Sequence, residues 1–480
     1  MHSTLSRDLH LPPEIWWMVI DIVGAPSHGG ASEPRSHYPT LRNCALVCQH
    51  WLRRSRWVLY RRVYLLSEAV ASLFVRTLTE DSAHIGVLAS LVQEVYIDGV
   101  CHPQFWNWPP GKSSFVVLLQ HRLPHMHTLS LYDLNINPRY PADFLSRISQ
   151  SPIRHLTLWN CPLPLINVFT IIWSLDDLHS LTLHRDTPTW YRLGSVSPSA
   201  ASFAIECQEL QSMQTASRAP PRCRQLRQLT LGGMYVQSKA FPPPGALGQE
   251  VTRLHLVLQA TRGATSRDFG LHPMFVPTLS ALQTFHVNYA LTSEEAYIGN
   301  TDSLLSPPRR ASYRHFISSM ISSLSRVSSL RVLSFAFTLF GYFDPFTAPV
   351  RWCIARLLFY DEMQAQLRSI PSDARIYVSV EDDEPVRTRI VDYWRGILGD
   401  RLPDWRDRLH VHVRSFPRPQ TTSEKLHYVG PSEADSIHAA NRQLWFAYAK
   451  TNPTPPPWDR SGLCLGNDPS ARAAMSEAQV

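Results

Sequence analysis

Residue types that most often carry chemistry occur in this chain in four short groupings. His125 and His127, and again His410 and His412, place two imidazoles on one side of an extended segment, as a strand-borne metal site does. Cys44 and Cys48 lie one helical turn apart and could form half of such a site. Glu381, Asp382, Asp383 and Glu384 form an acidic run, which a solvated loop or a helix N-terminus accommodates. None of the four is completed. Neither histidine pair has a Cys or carboxylate at ligand spacing, and no phosphate-binding, dinucleotide, zincin or nucleophile-elbow pattern occurs. With 20 glycines in the chain, phosphate-cradling loops are not expected. The sequence thus predicts no catalytic residue, no metal and no cofactor. An enzyme would need a polar pocket in the 340–450 region that joins residues such as Asp361, Glu381 and His410.

Length and composition describe the scaffold. A chain of 480 residues holds two or more domains, or one small module plus a solenoid. Apolar content of 44% and charged content of 18% are those of a globular protein, and 38 prolines point to many stiff loops. The net charge is +7, with one dense cluster at Arg53, Arg54, Arg56, Arg61 and Arg62. On a helix this reads as a solvated face, and no aromatic-interleaved motif accompanies it, so nucleic acid is not an expected partner. The eight cysteines form no CxxC and no disulfide framework, no apolar run approaches membrane length, and no glycosylation acceptor occurs. A reducing compartment, cytoplasm or nucleus, is expected, with no membrane partner.

A repeat pattern supplies most of the order. LASLVQEVYIDGV (88–100), LPHMHTLSLYDLNI (123–136), IRHLTLWNC (153–161) and LDDLHSLTLHRD (175–186) share L-x-x-L-x-x-L-x-L or a variant of it. CRQLRQLTLGGM (223–234), VTRLHLVLQA (251–260), LSALQTFHVNYA (279–290) and VSSLRVLSFAF (327–337) continue the series. The terminal pairs begin at Val95, Leu129, Leu156, Leu181, Leu229, Leu254, Phe285 and Leu333. Most separations fall near a solenoid period; the gaps Leu181–Leu229 and Phe285–Leu333 signal an insertion or a missed repeat. Each L-x-L is a short strand with its leucines inward, and stacked neighbours bury what one unit cannot. The flanking positions then line the opposite face with hydroxyls, imidazoles and rings, almost free of carboxylates. Tyr132, His155, Trp159, His184 and His286 are the candidates on it for binding a protein. Thr187–Arg222, Ala240–Gly248 and Tyr289–Ser312 read as loops on one rim. Beyond Val350, two longer helix–strand units (helices in 351–370 and 384–400, strands at 374–380 and 408–414) extend the sheet. A cap follows at 434–449, and 451–480 reads as a disordered tail.

The first 64 residues follow a different rule. In LPPEIWWMVIDIV, Ile15, Met18, Val19, Ile22 and Val23 make one apolar stripe, while Trp16, Trp17 and Ile20 lie beside it. Leu41, Cys44, Ala45, Cys48 and Leu52 make a second, flanked by Leu46 and Val47. Two such helices carry more apolar surface than a unit this small can bury, so they join a larger core or await a partner.

Leu11-Pro12, Glu14-Ile15, the apolar run to Val23, Leu41, Cys44, Val47-Cys48-x-x-Trp51 and the closing Trp57 to Tyr60 resemble an F-box, departing from it in an insert at 24–39 and in Tyr60. The repeats resemble the degenerate leucine-rich repeats that often follow one. The resemblance implies docking on a Skp-type adaptor, and through it on a cullin ubiquitin ligase, with Leu11, Pro12, Glu14, Ile15, Ile20, Leu41, Cys44, Val47, Cys48 and Trp51 building or contacting that interface. The repeats would hold an unknown protein substrate; the alternative is a repeat scaffold with no part in ubiquitination. The expected architecture is α/β: a flexible 1–10, a small all-α module at 11–64, an irregular leucine-rich-repeat-like horseshoe at 65–345, longer units with a cap at 346–450, and the tail.

Overall fold

The computed structural model describes residues 12–24, 38–65, 68–79, 83–98, 122–132, 152–161, 163–185, 200–216, 223–236, 241–243, 246–258, 271, 275–292, 307–340, 361–382 and 388–415. The N-terminal ten residues, Leu11, most of the 24–39 insert, the 434–449 cap and the tail lie outside them. Three helices come first: α1 (Pro13–Gly24), α2 (Tyr38–Val47) and α3 (Gln49–Arg61). Then follow β1 (Arg62–Leu65), α4 (Glu68–Thr79), α5 (Ala83–Leu91), β2 (Glu94–Asp98), β3 (Thr128–Tyr132) and β4 (His155–Trp159). The middle comprises α6 (Leu165–Ser174), β5 (Ser180–Arg185), α7 (Ala200–Ala216), β6 (Gln228–Gly233), β7 (Arg253–Leu258), the one-turn α8 (Phe275–Thr278) and β8 (Thr284–Thr292). The rest is α9 (Pro307–Leu324), β9 (Val332–Phe340), α10 (Asp361–Leu367), β10 (Arg375–Asp382), α11 (Thr388–Arg401) and β11 (Leu409–Ser415).

All eleven strands form a single parallel sheet in chain order, an open, solenoid-like α/β arrangement. The register is set by the leucines. Val95, Leu129, Leu156, Leu181, Leu229, Leu254, Phe285, Leu333, Ile376 and Leu409 face one another across successive strands. A second row two residues on, from Ile97 through Leu131, Leu158, Leu183, Leu231 and Leu256 to Val287, lies on the same side. Both rows are buried within one continuous apolar core. A one-residue slip would turn every leucine to the other face, so the core itself fixes the pairing.

Before β3, β5, β6, β8 and β9 the L-x-x-L, or its variant, is a turn. The amide of its last apolar residue donates to the carbonyl three back: Met126 to Leu123 (3.2 Å), Leu178 to Leu175 (3.3 Å), Leu226 to Cys223 (3.1 Å), Leu282 to Leu279 (3.1 Å) and Leu330 to Val327 (3.3 Å). Both apolar ends of these turns point into the core. One sequence motif therefore closes the turn and seeds the strand.

The structure corrects several expectations. β5 pairs directly with β6 and β8 with β9, so both long gaps are insertions and no strand is missing from the sheet there. The 187–222 insertion carries α7, which buries Phe203, Cys207 and Leu210 at i, i+4 and i+7; it is part of the core, not a rim loop. The 240–248 segment likewise buries Phe241, Ala246 and Leu247, and the Trp173 indole donates to the Ala246 carbonyl at 2.9 Å. The end of the 289–312 segment opens α9, with Pro307 and Pro308 in its first turn, where no intrahelical amide is needed. β1 runs Arg62–Leu65, so the 64/65 boundary falls inside the first strand. The helix expected over 351–370 is described only as α10, whereas α11, β10 and β11 extend the sheet as expected.

Leu181 occupies the middle of the first leucine row and is fully buried. Leu181→Ala should lower stability by about 2–5 kcal/mol in urea titrations, whereas exposed Glu209→Ala should change it by no more than about 0.5 kcal/mol.

Candidate functional site

Two surfaces were expected to carry function: the polar side of the sheet and the N-terminal helices. The polar side is ordered as three rows by the same register that aligns the leucines. The first runs Arg62, Glu94, Thr128, His155, Ser180, Gln228, Arg253, Thr284. The second runs Tyr64, Tyr96, Ser130, Thr157, Thr182, Thr230, His255, His286, Ser334, Tyr377, His410. The third includes Tyr132, Trp159, His184, Gly232, Val257 and Asn288.

Exposure on this side differs from the expectation. Tyr132, Trp159 and His184 are buried, and His155 and His286 are half-buried. Ser130, Thr157 and Thr182 in the middle row are fully buried, and the third row beside them carries the rings of Tyr132, Trp159 and His184. Trp159 and His184 stack at 3.8 Å with their planes 7° apart. A Cβ at Gly232 would meet the His184 ring at 2.2 Å, so a residue without a side chain makes room for that stack. His286 Nδ1 lies 2.7 Å from Ser334 Oγ, and its ring is 4.6 Å from that of His255. The middle of this side is thus a closed polar layer. It opens at the C-terminal strands, where Arg375, Tyr377, His410 and His412 are exposed and Tyr377 stacks on His410 at 4.6 Å.

Burial also determines charge. It drives the His155 imidazole down to about 4, helped by His127, His179 and Arg154 nearby. His127 is lowered by burial despite the attraction of Glu94, and His255 is lowered well below the imidazole range by burial and by His286. These rings are neutral at pH 7. None of the chemistry-bearing groupings is completed among the described residues. His125 is exposed while His127 sits against Thr128. Cys44 is half-buried, and exposed Cys48 precedes α3. Glu381 pairs in register with Arg414, four residues along the strand from the Tyr377–His410 pair, about 13 Å away. No group of three or more His, Cys, Asp or Glu that could hold a metal occurs among the described residues.

The N-terminal helices present the other surface. Trp16 and Ile20 turn inward: Trp16 packs on Trp51 at 4.8 Å, and Ile20 and Leu41 are buried. Asp21 receives both hydrogen bonds of the Arg54 guanidinium, which also lies over Trp57 at 4.4 Å. These contacts turn the stripe of α1 outward. Ile15, Met18 (58% exposed), Val19 and Ile22 (69%) form an apolar face on α1, and Leu46 (84%) and Val47 (61%) at the end of α2 are exposed as well. Of the residues predicted to build or contact an interface, Pro12, Glu14, Ile15, Val47 and Cys48 are exposed, Cys44 and Trp51 are half-buried, and Ile20 and Leu41 hold the helices together. Met18, Val19, Ile22 and Leu46 were not among those site residues, although the stripe in the sequence contained the first three.

No family model matches the chain, and no curated protein matches it. Among the described residues, no helix is long and apolar enough to cross a membrane.

The neutral histidines give stability a definite pH dependence. As pH falls from the usual imidazole value of 6.5 towards about 4, the unfolded chain takes up a proton at His155 that the folded chain does not. Stability is therefore complete above that window and declines through it. The melting temperature should be lower at pH 5 than at pH 7.5, and His155→Gln should flatten the difference; equal melting temperatures at both pH values would contradict this assignment.

Proposed function

We propose that the N-terminal helices are an F-box that docks a Skp-type adaptor, and that the chain recruits a protein substrate to a cullin ubiquitin ligase in the cytoplasm or nucleus. The observation that carries this reading is the exposure of Ile15, Met18, Val19, Ile22, Leu46 and Val47 on a unit whose inner contacts are made by Trp16, Ile20, Leu41 and Trp51. Contiguous exposed apolar residues of this kind on a small module mark a protein-binding surface. The Leu-Pro start and Val47-Cys48-x-x-Trp51 motif supply the family resemblance. In this role the subunit makes and breaks no bonds; it raises the effective concentration of a target lysine beside a ubiquitin-charged enzyme. Substrate contact then falls on the open end of the sheet, at Arg375, Tyr377, His410 and His412, rather than on its closed middle.

Co-expression with a Skp-type adaptor, followed by size-exclusion chromatography, tests the docking. The wild type should co-elute. Val19→Glu and Leu46→Glu, at exposed positions that leave the helix contacts intact, should each weaken binding by about 30-fold or more, as loss of a central interface anchor does. Wild type that stays separate from the adaptor would overturn the reading. Adaptor binding without cullin recruitment would favour a scaffold without ubiquitination.

A further inference from the structure

The junction between the helices and the sheet is held by a carboxylate that the docking account does not use. Glu94, the first residue of β2, is fully buried. Its Oε2 accepts a hydrogen bond from Arg62 Nε at 2.9 Å and another from the Tyr96 hydroxyl at 2.8 Å. Arg61 Nε lies 3.7 Å from Oε1, an ion pair beyond hydrogen-bond reach. Arg61 ends α3 and Arg62 opens β1, so one carboxylate binds the last residue of the helical unit and the first residue of the sheet. Three further contacts converge there. The Gln93 amide donates to the Arg61 carbonyl at 2.9 Å, Tyr64 stacks on Tyr96 at 4.9 Å, and Arg61 lies over the Trp57 ring at 5.0 Å. No linker separates α3 from β1.

We propose that Glu94 is a positioning residue: through Arg61, Arg62 and Tyr96 it locks the helical unit to the first two strands, so that the apolar face and the sheet are carried as one rigid body. A buried carboxylate with two guanidiniums and a phenol is strongly geometry-dependent. Removing its charge leaves two cations facing one another at the joint, whereas an apolar contact would merely loosen. The consequence rests on the adaptor reading: a rigid joint fixes the distance from a docked adaptor to whatever the sheet holds. The lock itself does not depend on that reading.

The test measures orientation in the full chain without any partner. Spin labels carried on genetically encoded ketone side chains at exposed Arg42 of α2 and exposed Ile205 of α7 give the distance distribution between the two parts by electron–electron resonance. Wild type should give one narrow distribution. Glu94→Gln should broaden it at least twofold while circular dichroism stays unchanged, and Tyr96→Phe, which keeps the ring stack and removes one hydrogen bond, should broaden it less. If Glu94→Gln does not fold, Tyr96→Phe alone decides the matter. Distributions as narrow as wild type in every folded variant would overturn the lock, whether or not the adaptor binds. Adaptor affinity should be unchanged in both variants, because the apolar face is untouched; a chain that never binds adaptor yet broadens in Glu94→Gln would fail the docking reading alone.

Discussion

The hydrogen-bonded register between parallel strands governs everything else in this protein. Each strand contributes two inward apolar residues, and neither is buried until the next strand aligns its own pair. That single constraint explains why units separated by very different lengths of chain still pair in order. Insertions are tolerated because lengthening a connection costs little closure entropy, and the sheet registers only where the next L-x-L arrives. It also explains why the insertion helix α7 carries Phe203, Cys207 and Leu210: a long crossover is stabilised by adding its own apolar stripe to the same core.

The same register creates the polar side, with a consequence that residue types alone do not reveal. Residues of opposite parity are also aligned, with neighbours in a row less than 5 Å apart, and the row beside the buried hydroxyls of Ser130, Thr157 and Thr182 carries the rings of Tyr132, Trp159 and His184. A face that reads as a binding surface becomes a second buried layer over its middle strands. His127, His155 and His255 are neutral because desolvation disfavours the imidazolium, at His127 more than the nearby carboxylate Glu94 can favour it.

What could be read in the sequence divides along physical lines. The eight L-x-L strands were legible because their period is intrinsic to the strand and repeats. β1 was not, because Arg62-Val63-Tyr64-Leu65 follows a helix with no L-x-x-L turn before it. Helices α7 and α9 were hidden by Ser, Ala and Pro composition, although the i, i+4, i+7 spacing of Phe203, Cys207 and Leu210 was there to find. On the N-terminal helices the stripe of Ile15, Met18, Val19 and Ile22 was visible, but its direction was not. Direction depends on tertiary contacts (Trp16 on Trp51, Asp21 with Arg54) that span thirty or more residues. The exposure of Tyr132, Trp159 and His184 was misjudged for a related reason: alternation assigns a residue to a face, and only neighbours decide whether that face meets water.

The central claim is that the outward stripe of α1 and the end of α2 is a docking face and not an incidental exposure. Hydroxyl-radical footprinting of the full chain, alone and with a Skp-type adaptor, addresses it residue by residue. The account predicts strong oxidation of Met18, Ile22 and Leu46 in the free chain and protection of these three in the mixture, with Tyr377 on the far end of the sheet unchanged. Unchanged labelling at Met18, Ile22 and Leu46 on adding adaptor, or protection confined to Tyr377, would contradict it.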